Sequence, residues 1–596
     1  MTTKIEQTSY LSTFSWGLVP WRKVNSEVVS LRKRIFVASR LGNFKSLRSL
    51  QRLLIFSKAN ILSSIKKVTS VNKGRLTPGL DELVYPNPEE KAALFKEIWF
   101  LDLKTHKAVP VKRVFVPKPN GKLRPLGIPT ITDRVLQQML KNALEPEWEA
   151  HFESSSYGFR PARSVDDAIN RIFLNTSKQN CRAWVVDADI TGCFDNIDHN
   201  YLVEKIKHFP HVELIIKWLK SGVVDMNVFY ETDTGTPQGS IISPLLANIA
   251  LHGLEKELGI RVDKKGFVKH GDRSLVRYAD DFIVLCYTKS DAEKARLQLA
   301  DLLRERGLSL NEDKTRVCHI TDGFDFLGFN IRVTPHDGFK KENVIIHKGS
   351  SNIIYDFDKT LLLIKPSSKS VASFKAKVKD IFKSKRGHNA FSLILELNPL
   401  IRGWANSKRA WHANRTFHFL DGYIFDQCWR WMHRTHPSKS NAWLKARYFK
   451  HKTDPGFDNK WVFHNSGKVK DDVVDLELLQ LKWFKIERHI MIKNLASPLD
   501  PTYDNYFKEL SDIRSNFKTV SLLRKFDTAV ARDQNFICPV CYEGLFNDEK
   551  LHKHHITEKA KGGKDTLTNL IYLHLSCHYA THRNLEKWTL LFKLAK

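Results

Sequence analysis

Apolar positions along this chain follow two rhythms. From Val24 to Val68 they recur at helical spacing, through Leu47, Leu50, Leu53, Leu54, Ile61, Leu62 and Ile65. Arg48, Arg52, Lys58 and Lys66 interleave with them, so the pattern predicts helices with basic faces. From about Asn72 to Ile346 short apolar runs alternate with turn residues and helical stretches, which predicts a mixed α+β region. Within it, Ser274-Leu275-Val276 and Phe282-Ile283-Val284-Leu285 flank Arg277-Tyr278-Ala279-Asp280-Asp281, the pattern of a tight hairpin with an acidic tip. A second apolar run, Trp184-Val185-Val186, also ends in acid, at Asp187-Ala188-Asp189. From about Asn352 to Phe449 the pattern turns helical and basic; from Lys450 to Asp533 it is weak.

Adjacent carboxylates repel unless a cation lies between them. Three carboxylates converging from neighbouring strands suit two Mg²⁺ ions about 3.5–4 Å apart, the arrangement that stabilises entering and leaving oxygens in phosphoryl transfer. Hard oxygen ligands select Mg²⁺. Charge points the same way: 95 Lys and Arg against 65 Asp and Glu give a formal net charge of +30, which calls for a polyanionic partner. No run of apolar residues is long enough for a membrane span, and Met1–Pro20 does not read as a signal peptide. Eight cysteines in 596 residues make no disulfide framework, which predicts a reducing, intracellular setting.

Three of those cysteines crowd the C-terminus. Cys538-Pro539-Val540-Cys541 has metal-knuckle spacing, and His574-Leu575-Ser576-Cys577 supplies a second pair. Three thiolates and an imidazole predict a closed, structural Zn²⁺ site. His578 and His582 stand four apart, so on a helix they share one face and can hold one metal together.

Taken in order, Arg124–Pro129, Ser156–Pro161, Asp189 with Phe194-Asp195, Gly235–Ser240, Tyr278–Asp281, Leu308–Asn311 and Phe326–Phe329 resemble the reverse transcriptase/maturase proteins encoded by bacterial group II introns. Leu397–Trp404 and Trp429–Arg434 resemble the maturase domain of that family. Cys538/Cys541, His554-His555, Gly562-Gly563, Asn569 and His578/His582 resemble its C-terminal HNH endonuclease. The chain departs from the family at Ser240, where Gly is commoner, and at Leu80-Asp81-Glu82, where Val-Asp-Gly is usual.

The resemblance implies a multidomain α+β architecture with a right-hand polymerase. The expected divisions are a helical extension at 1–70, fingers and palm at 71–348, and an α-helical thumb (maturase) domain at 349–449. A small DNA-binding region at 450–533 and a ββα-metal HNH module with a zinc site at 534–596 complete the expectation. It implies an RNA-directed DNA polymerase and DNA endonuclease with dNTP substrates. Asp189, Asp280 and Asp281 are then the Mg²⁺ ligands, with Asp187 the rival of Asp189, since alternate residues of a strand share a face. Lys118 and Arg124 meet the triphosphate, Gln238 lies near primer and template, and Phe194 excludes a 2′-OH. In the nuclease, His554, His578 and His582 hold one Mg²⁺ or Mn²⁺, His555 is the general base, and Asn569 orients it. Cys538, Cys541, His574 and Cys577 hold zinc.

The implied partners are a group II intron lariat RNA and double-stranded target DNA, with no membrane; the sequence does not fix the oligomeric state. The implied setting is the bacterial cytoplasm, with nucleoid association while DNA is engaged. The implied cycle is binding and splicing of the intron RNA, nicking of DNA, and target-primed synthesis of cDNA. Two other readings stay open: a splicing-only maturase, and a reverse transcriptase recruited to host defence.

Overall fold

The computed structural model describes residues 14–117, 123–177, 182–226, 228–335, 345–348, 353–355, 360–454, 457–469, 472–511, 513, 525–541, 544–546, 551–582, 588 and 592. Lys118 of the expected site lies outside them.

The amphipathic N-terminal pattern forms three helices, Trp21–Arg40, Phe44–Ile55 and Lys58–Lys66. Asn43 and Ser57 cap the second and third by accepting the backbone N–H three residues on. Leu47, Leu54, Ile61, Leu62 and Ile65 are buried, whereas Leu53 is exposed. These helices pack on Ile131–Glu149, a long helix capped by Thr130.

The centre is a four-stranded antiparallel sheet in the order Ser274–Tyr278, Asp281–Cys286, Trp184–Ala188, Arg316–His319. Val185-Val186 and Phe282–Cys286 in its middle strands are buried, which explains the apolar runs there. The helix Lys289–Arg304 covers one side through Ala292, Ala295, Leu299 and Leu303. The helix Val165–Thr176 lies beside the edge strand and starts in a Ser164–Asp167 capping box.

A second sheet holds Leu123–Ile128, Val111–Pro117, Val223–Asp225 and Val228–Tyr230, with one parallel pairing between Val111–Pro117 and Val223–Asp225. Beyond the central sheet, Phe324–Phe326, Phe329–Pro335 and Thr360–Pro366 form a third. Its first two strands turn at Leu327-Gly328, both at positive φ.

The basic stretch after residue 366 folds as the helices Ser368–Ser384, Ala390–Lys408, Asn414–Thr435 and Asn441–Tyr448 around a separate core of Phe374, Leu393, Leu397, Leu420, Trp431 and Met432. The weakly patterned stretch that follows is more regular than its sequence suggests. Phe449–Asp454, Phe457–Val469 and Asp472–Glu477 form an antiparallel sheet packed on those helices. Its strands lack apolar alternation because charges tie them: Lys450 reaches Asp475 at 2.5 Å and Glu477 at 2.9 Å, and Lys452 reaches Glu477 at 2.6 Å. The chain then returns across the molecule. His489 bonds Asp167 at 2.9 Å and Arg40 pairs with the buried Asp500.

At the C-terminus, Leu551–His555 and Leu570–His574 form a hairpin followed by the helix Leu575–His582. Its apolar residues join the same buried cluster as the N-terminal helices. Among the described residues no helix is long and apolar enough to cross a membrane.

Candidate functional site

Register brings the acids together. Ala188 pairs with Phe282 and Tyr278 with Asp281, so Asp189, one residue past its strand, faces the acidic turn. Asp280 is half-buried, and burial followed by the charge of Asp189 raises its pKa. Asp281 is walled by protein while its edge stays open to solvent. Burial, then the charges of Asp280, Asp189 and Asp187, push its carboxyl up to about 6. Asp189 accepts from Lys314 Nζ at 2.6 Å, and Asp187 accepts from Arg316 Nε at 3.3 Å. Each rival therefore already faces a cation. Hard carboxylates facing one turn, with the pKa values of Asp280 and Asp281 raised, fit a divalent ion.

The other motif segments close around this turn. The Leu308–Asn311 segment bridges to it, with Asn311 N donating to Asp189 O at 2.8 Å and Thr191 N to Ser309 O at 3.0 Å. Tyr157 N donates to Arg277 O at 2.9 Å, and a Cβ on Gly158 would meet Ala279 N at 2.3 Å; only glycine lets this strand lie on the turn. The 235–240 loop ties two sides together. Thr236 N donates to Phe194 O at 2.5 Å, and Gly127 N donates to Gln238 O at 2.6 Å. The Gln238 side chain donates to Asp195 Oδ2 at 3.4 Å. Phe194 is half-buried with its ring edge-on to exposed Phe159 at 6.4 Å. Arg124 is exposed on its strand and bears electrostatically on Asp280. Of the two departures, buried Ser240 donates to Gln137 Oε1 at 2.8 Å, whereas Glu82 takes a left-handed φ of 55° that glycine would adopt without strain.

Among the described residues, two groups of three or more ligating side chains converge within 4.8 Å: Cys538, Cys541, His574 and Cys577, and His554, His578 and His582. The first group is wholly buried. Cys541 Sγ lies 3.2 Å from His574 Nδ1, while His574 Nε2 lies 3.2 Å from Gly544 O. Donation to that carbonyl fixes the tautomer and leaves Nδ1 for a metal, the outer bond expected of a zinc histidine. A soft, closed donor set of three sulfurs and one nitrogen fits Zn²⁺.

In the second group His554 is buried and its Nε2 has no hydrogen-bond partner. Burial and the neighbouring imidazoles hold His554 and His578 down to about 4, so both rings are neutral and offer lone pairs. The unpartnered Nε2 of His554, with His582 Nε2 lying 3.2 Å from His578 Nε2 beside it, fits one divalent ion. The His552 ring also lies tilted against that of His578, their centroids 5.0 Å apart.

His555 and Asn569 do not bond each other as expected. His555 Nε2 pairs with Asp565 Oδ1 at 2.6 Å, and Asp565 also meets Lys559 at 3.0 Å. Asn569 instead pins the loop, accepting from Thr557 N at 2.7 Å and donating to Thr557 O at 3.1 Å and Lys564 O at 2.9 Å. The loop is tight, since a Cβ on Gly563 would meet Thr557 O at 1.8 Å. Asp565, Lys314 and Arg316 went unnoticed in the sequence because each is one charge among many; Lys314 lies 125 residues from its partner.

Comparison with known proteins agrees with this layout. Family models match for "Reverse transcriptase (RNA-dependent DNA polymerase)" at 116–331 and "N-terminal domain of reverse transcriptase" at 16–98. Others match for "Group II intron, maturase-specific domain" at 371–449 and "HNH endonuclease" at 538–584. The chain is 33% identical over 319 residues to Protein YkfC of Escherichia coli, covering 48% of this chain and 84% of that protein. It is 33% identical over 335 residues to group II intron-encoded protein LtrA of Lactococcus lactis, covering 46% of this chain and 55% of LtrA. To the 91 kDa protein in the cob intron of Schizosaccharomyces pombe it is 29% identical over 386 residues, 54% of this chain and 47% of that protein. Matching thus spans about half the length of the last two.

Proposed function

The chain belongs to the group II intron-encoded reverse transcriptase/maturase family with a C-terminal HNH endonuclease domain, and on that premise we propose a ribonucleoprotein that splices its intron RNA and copies it into nicked DNA. The observation that carries this reading is the meeting of Asp189, Asp280 and Asp281 at one end of the central sheet. A protein that only chaperones RNA has no need to crowd three carboxylates there. In this reading the central sheet is the palm, the Val111–Ile128 hairpin belongs to the fingers, and the helices from Ser368 to Tyr448 are the thumb. The domain divisions at residues 70, 348, 449 and 533 stand as part of the same proposal.

Asp189, Asp280 and Asp281 would hold Mg²⁺, which when bound lowers the pKa of a primer 3′-OH and offsets charge on the leaving pyrophosphate. Arg124 presents a guanidinium fork to the triphosphate of the incoming dNTP, with Lys118 as its proposed companion. Gln238 contacts primer and template beside Asp195, and the Phe194 ring closes the space where a ribose 2′-OH would sit. In the C-terminal module His554, His578 and His582 would hold one Mg²⁺ or Mn²⁺ against the scissile phosphate. His555 takes the proton from the attacking water, and Asp565 holds its ring and stabilises the imidazolium that results. Cys538, Cys541, His574 and Cys577 would hold a structural Zn²⁺. The proposed partners are the intron lariat RNA, gripped through the basic helices from Ser368 onward, and double-stranded target DNA.

Extension of an oligo(dT) primer on poly(rA) with Mg²⁺, by the intact protein and by Asp280→Asn, tests the polymerase. Extension by the intact protein alone is expected; splicing activity without any extension would leave the splicing-only maturase in its place. Sequencing RNA that co-purifies from the native host tests the partner. A lariat carrying this reading frame is expected, and bulk cellular RNA alone would remove the splicing role.

A further inference from the structure

The acidic turn rests on a buried clamp. Arg277, the residue before Tyr278, is fully buried yet carries a guanidinium. Its Nη1 donates to Asn248 Oδ1 at 2.9 Å and to the carbonyl of Ala279 at 3.3 Å. Asn248 is also buried, on the helix Ser243–Ala250, and its Nδ2 donates to Gly158 O at 2.8 Å. Gly158 is the residue lying against Ala279 N, so the clamp grips the turn from two sides. The Arg277 backbone is held as well, donating to Ser155 O and accepting from Tyr157 N, both at 2.9 Å.

Ala279 is the residue that needs holding. It takes a φ of 60°, a left-handed conformation unfavourable for a residue with a Cβ. Such a conformation persists where its surroundings over-determine it. A two-residue hairpin without that strain would aim Asp280 and Asp281 elsewhere. A buried cation also demands compensation. Glu153 Oε2 lies 3.8 Å from Arg277 Nη2, and Glu153 Oε1 accepts from Gly253 N at 2.9 Å and Glu255 N at 3.1 Å. Aliphatic packing would cost less than this arrangement if the position had only to fill space.

We propose that Arg277 and Asn248 are positioning residues that hold the left-handed Ala279 and thereby set the spacing of Asp280 and Asp281 against Asp189 for metal binding. This rests on the polymerase reading above. Neither residue touches substrate or metal; each acts through the Ala279–Gly158 backbone.

The test is Asn248→Ala, with Arg277→Lys beside it and Asn175→Ala as control. Asn175 Nδ2 donates to Ser274 Oγ at 3.0 Å, at the far end of the same strand, so its loss is structural alone. Mn²⁺ binding is measured by electron paramagnetic resonance without nucleotide, in a His554→Ala background that removes the nuclease site's contribution. Asn248→Ala is expected to weaken Mn²⁺ affinity about tenfold, the effect of one lost buried hydrogen bond. In primer extension the Mg²⁺ needed for half-maximal rate should rise likewise, with the dNTP KM within about twofold. Arg277→Lys, which keeps the charge but loses the fork, should fall between. Equal Mn²⁺ affinity in Asn248→Ala and the control, or an equal loss in both, overturns the proposal, and if Arg277→Lys fails to fold Asn248→Ala decides alone. If the unaltered protein neither binds Mn²⁺ in that background nor extends a primer, the polymerase reading itself fails.

Discussion

Asp565 accepts from His555 Nε2 at 2.6 Å, ten residues along a loop that Gly563 and Asn569 fold back on itself. The carboxylate fixes which ring nitrogen carries the proton and leaves Nδ1 with the lone pair. The bond also holds the Asp565 carboxyl below its ordinary range. Asp565→Asn keeps the size and removes the charge. Nicking of duplex DNA should slow by about 10–100-fold with unchanged DNA affinity, the usual cost of losing a supporting partner. Asn569→Ala should instead make the loop more sensitive to protease. Nicking at the normal rate by Asp565→Asn would return the orienting role to another residue.

Zinc should hold the C-terminal module together. Cys538 and Cys541 come from one turn, and His574 and Cys577 from the end of the hairpin and the helix after it, so one ion staples pieces more than thirty residues apart. Apparent binding energies of structural zinc sites, about 10–16 kcal/mol in isolated peptides, exceed what so small a core supplies. Chelation, or Cys577→Ser, should release one zinc per chain and expose residues 538–582 to protease. Nicking should be lost and primer extension kept. A module that resists protease equally without zinc would show that the apolar cluster it shares with the N-terminal helices suffices.

Phe194 is held on two sides, by Thr236 N on its carbonyl and by the Phe159 ring on its edge. A side chain fixed that way can act as a wall. Phe194→Ala should raise ribonucleotide incorporation relative to deoxyribonucleotide on the order of 10–100-fold, the range that one steric contact commands. A change in thermal stability with unchanged sugar selection would make the ring a packing element only.

How much of this could be read beforehand depended on distance along the chain. The hairpin with its acidic tip was legible because apolar runs and paired acids are local, and Ser274–Tyr278 and Asp281–Cys286 follow them closely. The two ligand groups near the C-terminus were legible because metal spacing leaves a signature of residue type. The buried Arg277–Asn248–Gly158 clamp was not: Asn248 sits in an apolar helix and Arg277 in a basic protein, and neither stands out. The sheet from Phe449 to Glu477 was missed because its strands are joined by Lys450, Lys452, Asp475 and Glu477, which read as solvated charge. Pairings across long separations are set by tertiary packing, and periodicity does not carry them.

Beneath the same clamp lies a pH-dependent strain. Glu255 is buried, and that burial, followed by the charge of Glu153, raises its carboxyl from about 4.5 to about 7; Ser155, Arg171 and Arg277 act the other way. A pKa raised by folding means that between these values the folded chain binds the proton more tightly than the unfolded one. Glu255 therefore favours folding fully below about pH 4.5, and that contribution is lost as pH rises to 7. Above pH 7 the ionised carboxylate meets the charge of Glu153, with Arg171 and Arg277 as the opposing cations. Glu255→Gln mimics the protonated form and should be more stable than the unaltered protein at pH 8, by roughly 1–3 kcal/mol. The advantage should shrink steadily toward pH 5. Thermal denaturation of both proteins at half-unit intervals from pH 5 to 8 measures it. A constant difference across that range, or lower stability of Glu255→Gln at pH 8, would mean that Arg277 relies on both carboxylates as anions.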